Sequence, residues 1–174
     1  MQDLKQKIRN VQDFPKPGIG FKDITTLIKD AAAFNQSIDA LANQYNPDDI
    51  DVIVGIEARG FIFGAALAYK WGKGFIPVRK PGKLPAEKIR EEYQLEYGTD
   101  AVEIHNDAIT PGQRVLIIDD LLATGGTVAA AANLVERLSG TIVGISFLIE
   151  LSFLNGREKL NRYKVHSLVA FESE

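Results

Sequence analysis

The sequence has no cysteine in its 174 residues, and only one tryptophan, one methionine and two histidines. Without cysteine there is no disulfide framework, no thiol nucleophile and no zinc site built on thiolate. His105 and His166 lie 61 positions apart, which argues against a multi-histidine metal centre. Neither sign of charge dominates: 20 basic residues face 23 acidic ones, a net −3, so the surface as a whole is not built for nucleic acid. No apolar run approaches the roughly 18 to 20 residues of a membrane span. The stretch Met1–Arg9 is charged with no apolar segment behind it, so no targeting signal is read and a soluble cytoplasmic protein is expected. What is present is 45% apolar and 25% charged, the composition of a packed chain of about one domain. With no repeat, low-complexity tract or linker, residues 1–174 are read as a single domain.

Three short apolar runs bounded by breakers read as buried strands: Asp51–Gly55, Arg114–Asp119 and Thr141–Ile149. Phe75–Val78 is a weaker fourth, and Tyr163–Phe171 a fifth. Helical patterns lie between them, over Ala31–Tyr45, over Gly60–Tyr69, and through Val128, Ala131, Ala132, Val135 and Leu138 up to the stop at Gly140. Strands apolar on both faces that alternate with helices predict an α/β fold: a doubly wound, mainly parallel sheet with helices on both faces. Ligands of such open sheets bind beyond the carboxyl ends of the strands.

The residues following the strands are informative. In Val115–Thr127 four apolar residues run into Asp119 and Asp120, and Ala123-Thr-Gly-Gly-Thr127 then turns into a helix. Glycines let backbone approach a ligand closely, and a helix start offers free N–H groups and a positive dipole end. That suits a phosphate, with Thr124 and Thr127 adding hydroxyls; the alternative is a plain strand–helix connection capped by Thr127. A triphosphate P-loop is excluded, since no lysine follows the second glycine. The adjacent carboxylates can bind ribose hydroxyls or a hydrated magnesium ion. Gly55-Ile-Glu-Ala-Arg-Gly60 is a second anion cradle, with backbone N–H groups from Ala58 to Gly60 and the Arg59 guanidinium. From Lys70 to Arg90 seven basic residues meet one acid, a local +6 that leaves −9 on the rest. On charge alone that window is either a solvated face or an anion site. Its part around Pro77, Pro81, Gly82 and Pro85 cannot be a regular helix, and with the polar segment that continues through Tyr97-Gly98 it is expected to be a long loop.

The acid pair followed by Ala-Thr-Gly-Gly-Thr resembles the signature of the type I phosphoribosyltransferases, which bind phosphoribosyl pyrophosphate. Phe14–Ile24, Gly55–Phe61, Arg79–Pro85, Tyr93–Gly98 and Asn155–Leu160 resemble, in order, segments of the adenine-using members of that family. The resemblance implies purine salvage, with transfer of the 5-phosphoribosyl group to adenine to give AMP and pyrophosphate. It implies that Ala58, Arg59 and Gly60 take the pyrophosphate on a loop carrying a non-proline cis peptide. It also implies a flexible flap over about residues 79–104, with Lys80 and Lys83 at the phosphates. Asp119 and Asp120 would hold the ribose, and Ala123, Thr124, Gly125, Gly126 and Thr127 the 5-phosphate. Phe21, Lys22 and Leu121 would form the adenine slot, and Glu96 would act as an acid or base near the purine. Magnesium is expected through the substrate, with no direct protein ligand, and a homodimer is implied. The alternatives are an enzyme for hypoxanthine, guanine or xanthine, and a non-catalytic regulator that senses phosphoribosyl pyrophosphate.

Overall fold

A computed structural model of the chain describes residues 3–95 and 98–173. After a short 3-10 turn at Leu4–Lys7, β1 (Arg9–Val11) and β2 (Phe21–Asp23) pair antiparallel, followed by α1 (Thr25–Ile28) and α2 (Ala31–Ala42). The Asp30 carboxylate caps α2 by accepting from the N–H groups of Ala32 and Ala33. Then come β3 (Val52–Ile56), α3 (Gly60–Trp71), β4 (Gly74–Val78), β5 (Lys88–Leu95), β6 (Gly98–His105) and β7 (Arg114–Leu122). The chain closes with α4 (Gly126–Arg137), β8 (Thr141–Leu151), 3-10 turns at Ser152–Leu154 and Gly156–Leu160, and β9 (Val165–Phe171).

Among the described residues β4, β3, β7, β8 and β9 form, in that order, a five-stranded sheet in which every neighbouring pair is parallel. Alternate residues feed two cores, as the two-residue period of a strand requires. Val52, Val54, Ile56, Val115 and Ile117 point to the face covered by α4 and the β5–β6 hairpin. Ile53, Leu116 and Ile118 point to the face covered by α2 and α3. Each fully buried Leu, Ile or Phe there, such as Phe63 and Leu67 of α3, contributes ~1.5–3 kcal/mol by leaving water.

The strand order reverses between β3 and β7. From β3 the chain moves outward to β4, and from β7 it moves the other way to β8 and β9. The connections leaving β3 and β7 therefore diverge, and their carboxyl ends leave a crevice where ligands of open sheets bind. The doubly wound fold expected from the apolar runs is the one observed, with local differences: α2 stops at Ala42 rather than Tyr45, and β9 starts at Val165 rather than Tyr163. The segment expected to be a long loop is in fact largely the antiparallel β5–β6 hairpin, paired from Lys88↔His105 to Leu95↔Gly98. It is laid on α4 through Ile89, Tyr93, Val102 and Ile104. The strand read as Arg114–Asp119 runs on to Leu122, so the two aspartates are still in strand pairing with β8 or flanked by residues that are.

Candidate active site

The β3–α3 and β7–α4 connections meet at the crevice, and glycine makes that approach possible. A Cβ on Gly60 would lie 2.7 Å from Asp119 Oδ1 and 3.0 Å from both the Asp119 Cα and the Ile118 carbonyl. Only a residue without a side chain lets the start of α3 sit against the end of β7. The Glu57–Ala58 peptide just before it is cis, as the family resemblance implied. Ala58 is exposed, Arg59 half-buried and Gly60 buried.

Arg59 reaches across the crevice rather than out of it. Its Nη2 lies 2.8 Å from Asp120 Oδ2, its Nη1 donates to the Lys22 carbonyl at 3.3 Å, and its guanidinium sits 5.0 Å from the Phe21 ring centroid. The contact with Asp120 lacks hydrogen-bond alignment, so the buried Oδ2 is otherwise unsatisfied. Asp119 is half-buried and Asp120 buried. Burial first, and then the neighbouring Asp120 charge, push Asp119 well above the usual carboxylate range. Burial pushes Asp120 up as well, against the opposing pull of Arg59. Two poorly solvated carboxylates sharing one cation make a spot that favours incoming hydroxyl donors or a developing positive charge.

Leu122 ends β7, and Ala123-Thr-Gly-Gly-Thr127 forms the rim of a cavity of about 170 Å3 lined also by Asp119, Leu121 and Val128. Gly125 is the residue before α4 and adopts φ +77°. Thr124 is exposed and Thr127 lies in the first turn of α4, so N–H groups, hydroxyls and the positive helix end face one small space. Leu121 lines this cavity. Phe21 stands on the other side of Arg59, in edge-to-face contact with Phe14 at 5.1 Å, beside a cavity of about 320 Å3 lined by Val11, Phe14, Phe21 and Asp23. The Lys22 side chain is buried, bonded to Asn10 Oδ1 and over the Phe171 ring, so only its backbone faces the site.

The flap lysines are placed differently from one another. Lys80 Nζ is held by the Asp100 carboxylate and bonded to Tyr93 Oη at 2.7 Å, so it is turned toward the hairpin. Lys83 is exposed. Glu96 lies outside the described residues. Among the described residues no three His, Asp or Glu side chains cluster to cage a cation.

Residues that sequence reading did not single out complete the site. Glu57 accepts from Arg79 Nε and Nη2 at 3.2 and 3.1 Å and from the Lys80 N–H at 2.9 Å, which fixes the start of the flap beside the cis peptide. Burial raises its affinity for a proton, but the Arg79 and Lys80 bonds outweigh that and hold it below the usual range. Tyr93 covers Gly126, whose Cβ would meet its ring at 3.1 Å. A Glu preceding Ala-Arg-Gly, and an aromatic at an inward position of an alternating segment, were the available signals.

A parallel sheet with a carboxylate pair and two glycine-rich loops opening helices at its switch point has the form of a phosphate-handling α/β protein. Comparison with known families agrees: the profile of the phosphoribosyl transferase domain matches residues 25–170. Adenine phosphoribosyltransferase of Alkaliphilus metalliredigens is 62% identical over 169 residues, 97% of this chain and 99% of its own length. The crystal structure of adenine phosphoribosyltransferase from Thermoanaerobacter pseudethanolicus superposes with a TM-score of 0.94 at 60% identity, covering 97% of this chain and 98% of that one. The enzyme from Saccharomyces cerevisiae, solved with adenine and an imino-altritol bisphosphate, gives a TM-score of 0.90 at 44% identity over 95% and 96% of the two chains. The chain belongs to the phosphoribosyltransferase family, and within it to the adenine phosphoribosyltransferases.

Proposed function

We propose that the chain transfers the 5-phosphoribosyl group from phosphoribosyl pyrophosphate to N9 of adenine, releasing pyrophosphate and forming AMP. The observation that carries this reading is the meeting of Arg59, Asp119, Asp120 and the Ala123–Thr127 cavity at one crevice, in a chain 62% identical to an adenine phosphoribosyltransferase. Bond breaking at ribose C1 leaves a cationic sugar and an anionic leaving group, so opposite charges must be met a few ångströms apart. Asp119 and Asp120 accept the ribose hydroxyls and lie on the cationic side. The Ala123–Thr127 loop holds the 5-phosphate, remote binding that fixes where C1 sits. Ala58–Gly60 receive the pyrophosphate. Arg59 is shared between Asp120 and Phe21 in the structure, so it couples the ribose side to the base side. The Phe21 face offers the purine an apolar surface, whereas Leu121, expected in the same slot, lines the phosphate-loop cavity instead.

The donor set fits a magnesium ion carried by the diphosphate, because among the described residues the carboxylate pair Asp119 and Asp120 is too small for a protein cage. Such an ion supplies charge neutralisation on the leaving group. Residues 79–104 act as the flap, with Lys80 leaving Asp100 and Lys83 turning inward to the phosphates, and Glu96 near the purine. Closure excludes water that would otherwise capture the cationic sugar. One domain, a homodimer and a cytoplasmic location complete the proposal; the dimer is supported by the family resemblance.

The test is pyrophosphate release on mixing phosphoribosyl pyrophosphate and magnesium with adenine, hypoxanthine, guanine or xanthine in turn. Release with adenine far above the others is expected. Preference for another base would reassign the substrate, and no release with any base, together with tight nucleic-acid binding, would establish the regulator instead.

A further inference from the structure

The phosphate loop does not rest on its own strand and helix alone. A Cβ on Gly156 would lie 2.2 Å from the Ala123 carbonyl oxygen, and one on Gly125 would lie 2.5 Å from the Gly156 carbonyl oxygen. The backbones of Ala123–Gly125 and Gly156 are therefore stacked in direct contact, with no side chain between them. The position of the loop depends on where the Asn155–Leu160 segment stands.

Arg157 fixes that segment. Its guanidinium makes a two-pronged pair with Glu150, Nε to Oε1 and Nη2 to Oε2, both at 2.6 Å. The same group donates to the Val165 carbonyl at 3.0 Å and to Ser167 Oγ at 3.3 Å. One side chain thus ties the 3-10 turn to both β8 and β9. Glu150 is buried, and it is the strand partner of Leu122, the residue just before Ala123. A planar guanidinium against a buried carboxylate fixes orientation as well as distance, which a single ammonium contact does not. Leu160, buried in the core below α4, anchors the other end of the turn.

We propose that Arg157, through Glu150, is a positioning residue for the 5-phosphate: it touches no substrate, but sets the Gly156 backbone against which Ala123–Gly125 is shaped. The inference rests on reading Ala123–Thr127 as the 5-phosphate loop. Binding donors shifted by a fraction of an ångström lose affinity for the phosphate and leave the base slot, on the far side of Arg59, untouched.

The experiment compares the parent chain with Arg157→Ala and Glu150→Gln. Steady-state kinetics are measured with each substrate varied, and ribose 5-phosphate is titrated by calorimetry. We expect the KM for phosphoribosyl pyrophosphate and the Kd for ribose 5-phosphate to rise about tenfold or more, with the KM for adenine unchanged. A lower kcat at unchanged KM values, the mark of a smaller folded fraction, would overturn the inference, as would equal rises for both substrates. Should Arg157→Ala not fold, Arg157→Lys, which keeps the cation and loses the fork, carries the same readout. Failure of the parent itself to turn over adenine, seen before any variant is made, would overturn the reading of the loop and this inference with it.

Discussion

Gly125→Ala is the sharpest perturbation of the phosphate loop, because two separate costs can be worked out and separated. Gly125 has φ +77°, a conformation that costs an alanine ~1–2 kcal/mol. Its new Cβ would also stand 2.5 Å from the Gly156 carbonyl oxygen, roughly 0.9 Å inside ordinary contact, and the obstacle is backbone, which cannot rotate away. Overpacking of this kind adds ~1–3 kcal/mol. Gly112 is the control: φ is +85° there, and nothing lies within 4 Å of an added Cβ. Gly112→Ala carries the conformational cost alone. For a chain of this size each kcal/mol lowers Tm by ~2–4 °C, so Gly125→Ala should melt ~4–20 °C below the parent and Gly112→Ala ~2–8 °C below it. The kinetic contrast is larger. Displacing the loop by close to an ångström should lower kcat/KM for phosphoribosyl pyrophosphate by about a hundredfold, whereas Gly112→Ala leaves it at the parent value. Thermal melts and initial rates on the same preparations decide it. If the two variants lose equal Tm and equal activity, the contact with Gly156 does not shape the loop and the reasoning fails.

Other outcomes follow from the same geometry. Arg59→Ala leaves buried Asp120 without its cation, and kcat should fall at least about a hundredfold, as it should in Asp120→Ala; near-normal rates in either would remove these residues from the mechanism. Asp119→Asn relieves a carboxylate whose folded-state affinity for protons is raised, so its ionisation costs stability at neutral pH. That variant should melt no lower than the parent while losing most of its turnover, and a lower melt with full activity would contradict the assignment. Because the same raised pair must be ionised to face a cationic sugar, the acid limb of kcat/KM should lie above the ordinary carboxylate range, and Asp119→Asn should shift it. Stability in acid is governed elsewhere. Asp23 is held at about 2 by the Thr25 N–H and Arg9, and Asp51 at about 2 by the Arg114 side chain and N–H. Depressed carboxylates stabilise the fold above their unfolded value of 3.8 and lose that contribution as pH falls toward 2. Asp51→Asn should therefore flatten the decline of Tm between about pH 4 and 2, and an unchanged slope would refute the attribution.

The central sheet was legible because its strands are buried on both faces: Val52–Ile56 and Val115–Ile118 are unbroken apolar runs whose residues fill both cores. The hairpin was not, because Glu91 and Asp100 interrupt the face that carries Ile89, Tyr93, Val102 and Ile104, while Glu92 and Glu103 stand on the other face. In the fold those charges find partners: Glu91 with Asn133 and Arg137, Asp100 with Lys80, and Glu103 with the Gly82 N–H. The β1–β2 pair is three residues long on each side and too short to carry a pattern. In the site, the two glycine loops could be read locally, since a breaker, a helix start and adjacent acids lie within a dozen residues. The roles of Gly156 and Arg157 could not, since each acts on a segment distant in sequence, and for Glu57 the local motif marked the residue but not its partners Arg79 and Lys80. Lys80 illustrates a further limit: its charge was evident, but Asp100 and Tyr93, its partners in the structure, lie a hairpin away.

The reaction proposed for this crevice joins a 5-phosphoribosyl group to adenine. A single 31P NMR time course of the chain with magnesium, adenine and phosphoribosyl pyrophosphate tests it directly. AMP and pyrophosphate should grow in equal amounts as the substrate resonances vanish, with no ribose 5-phosphate accumulating. Intact substrate after prolonged incubation, or ribose 5-phosphate and pyrophosphate without AMP, would contradict it.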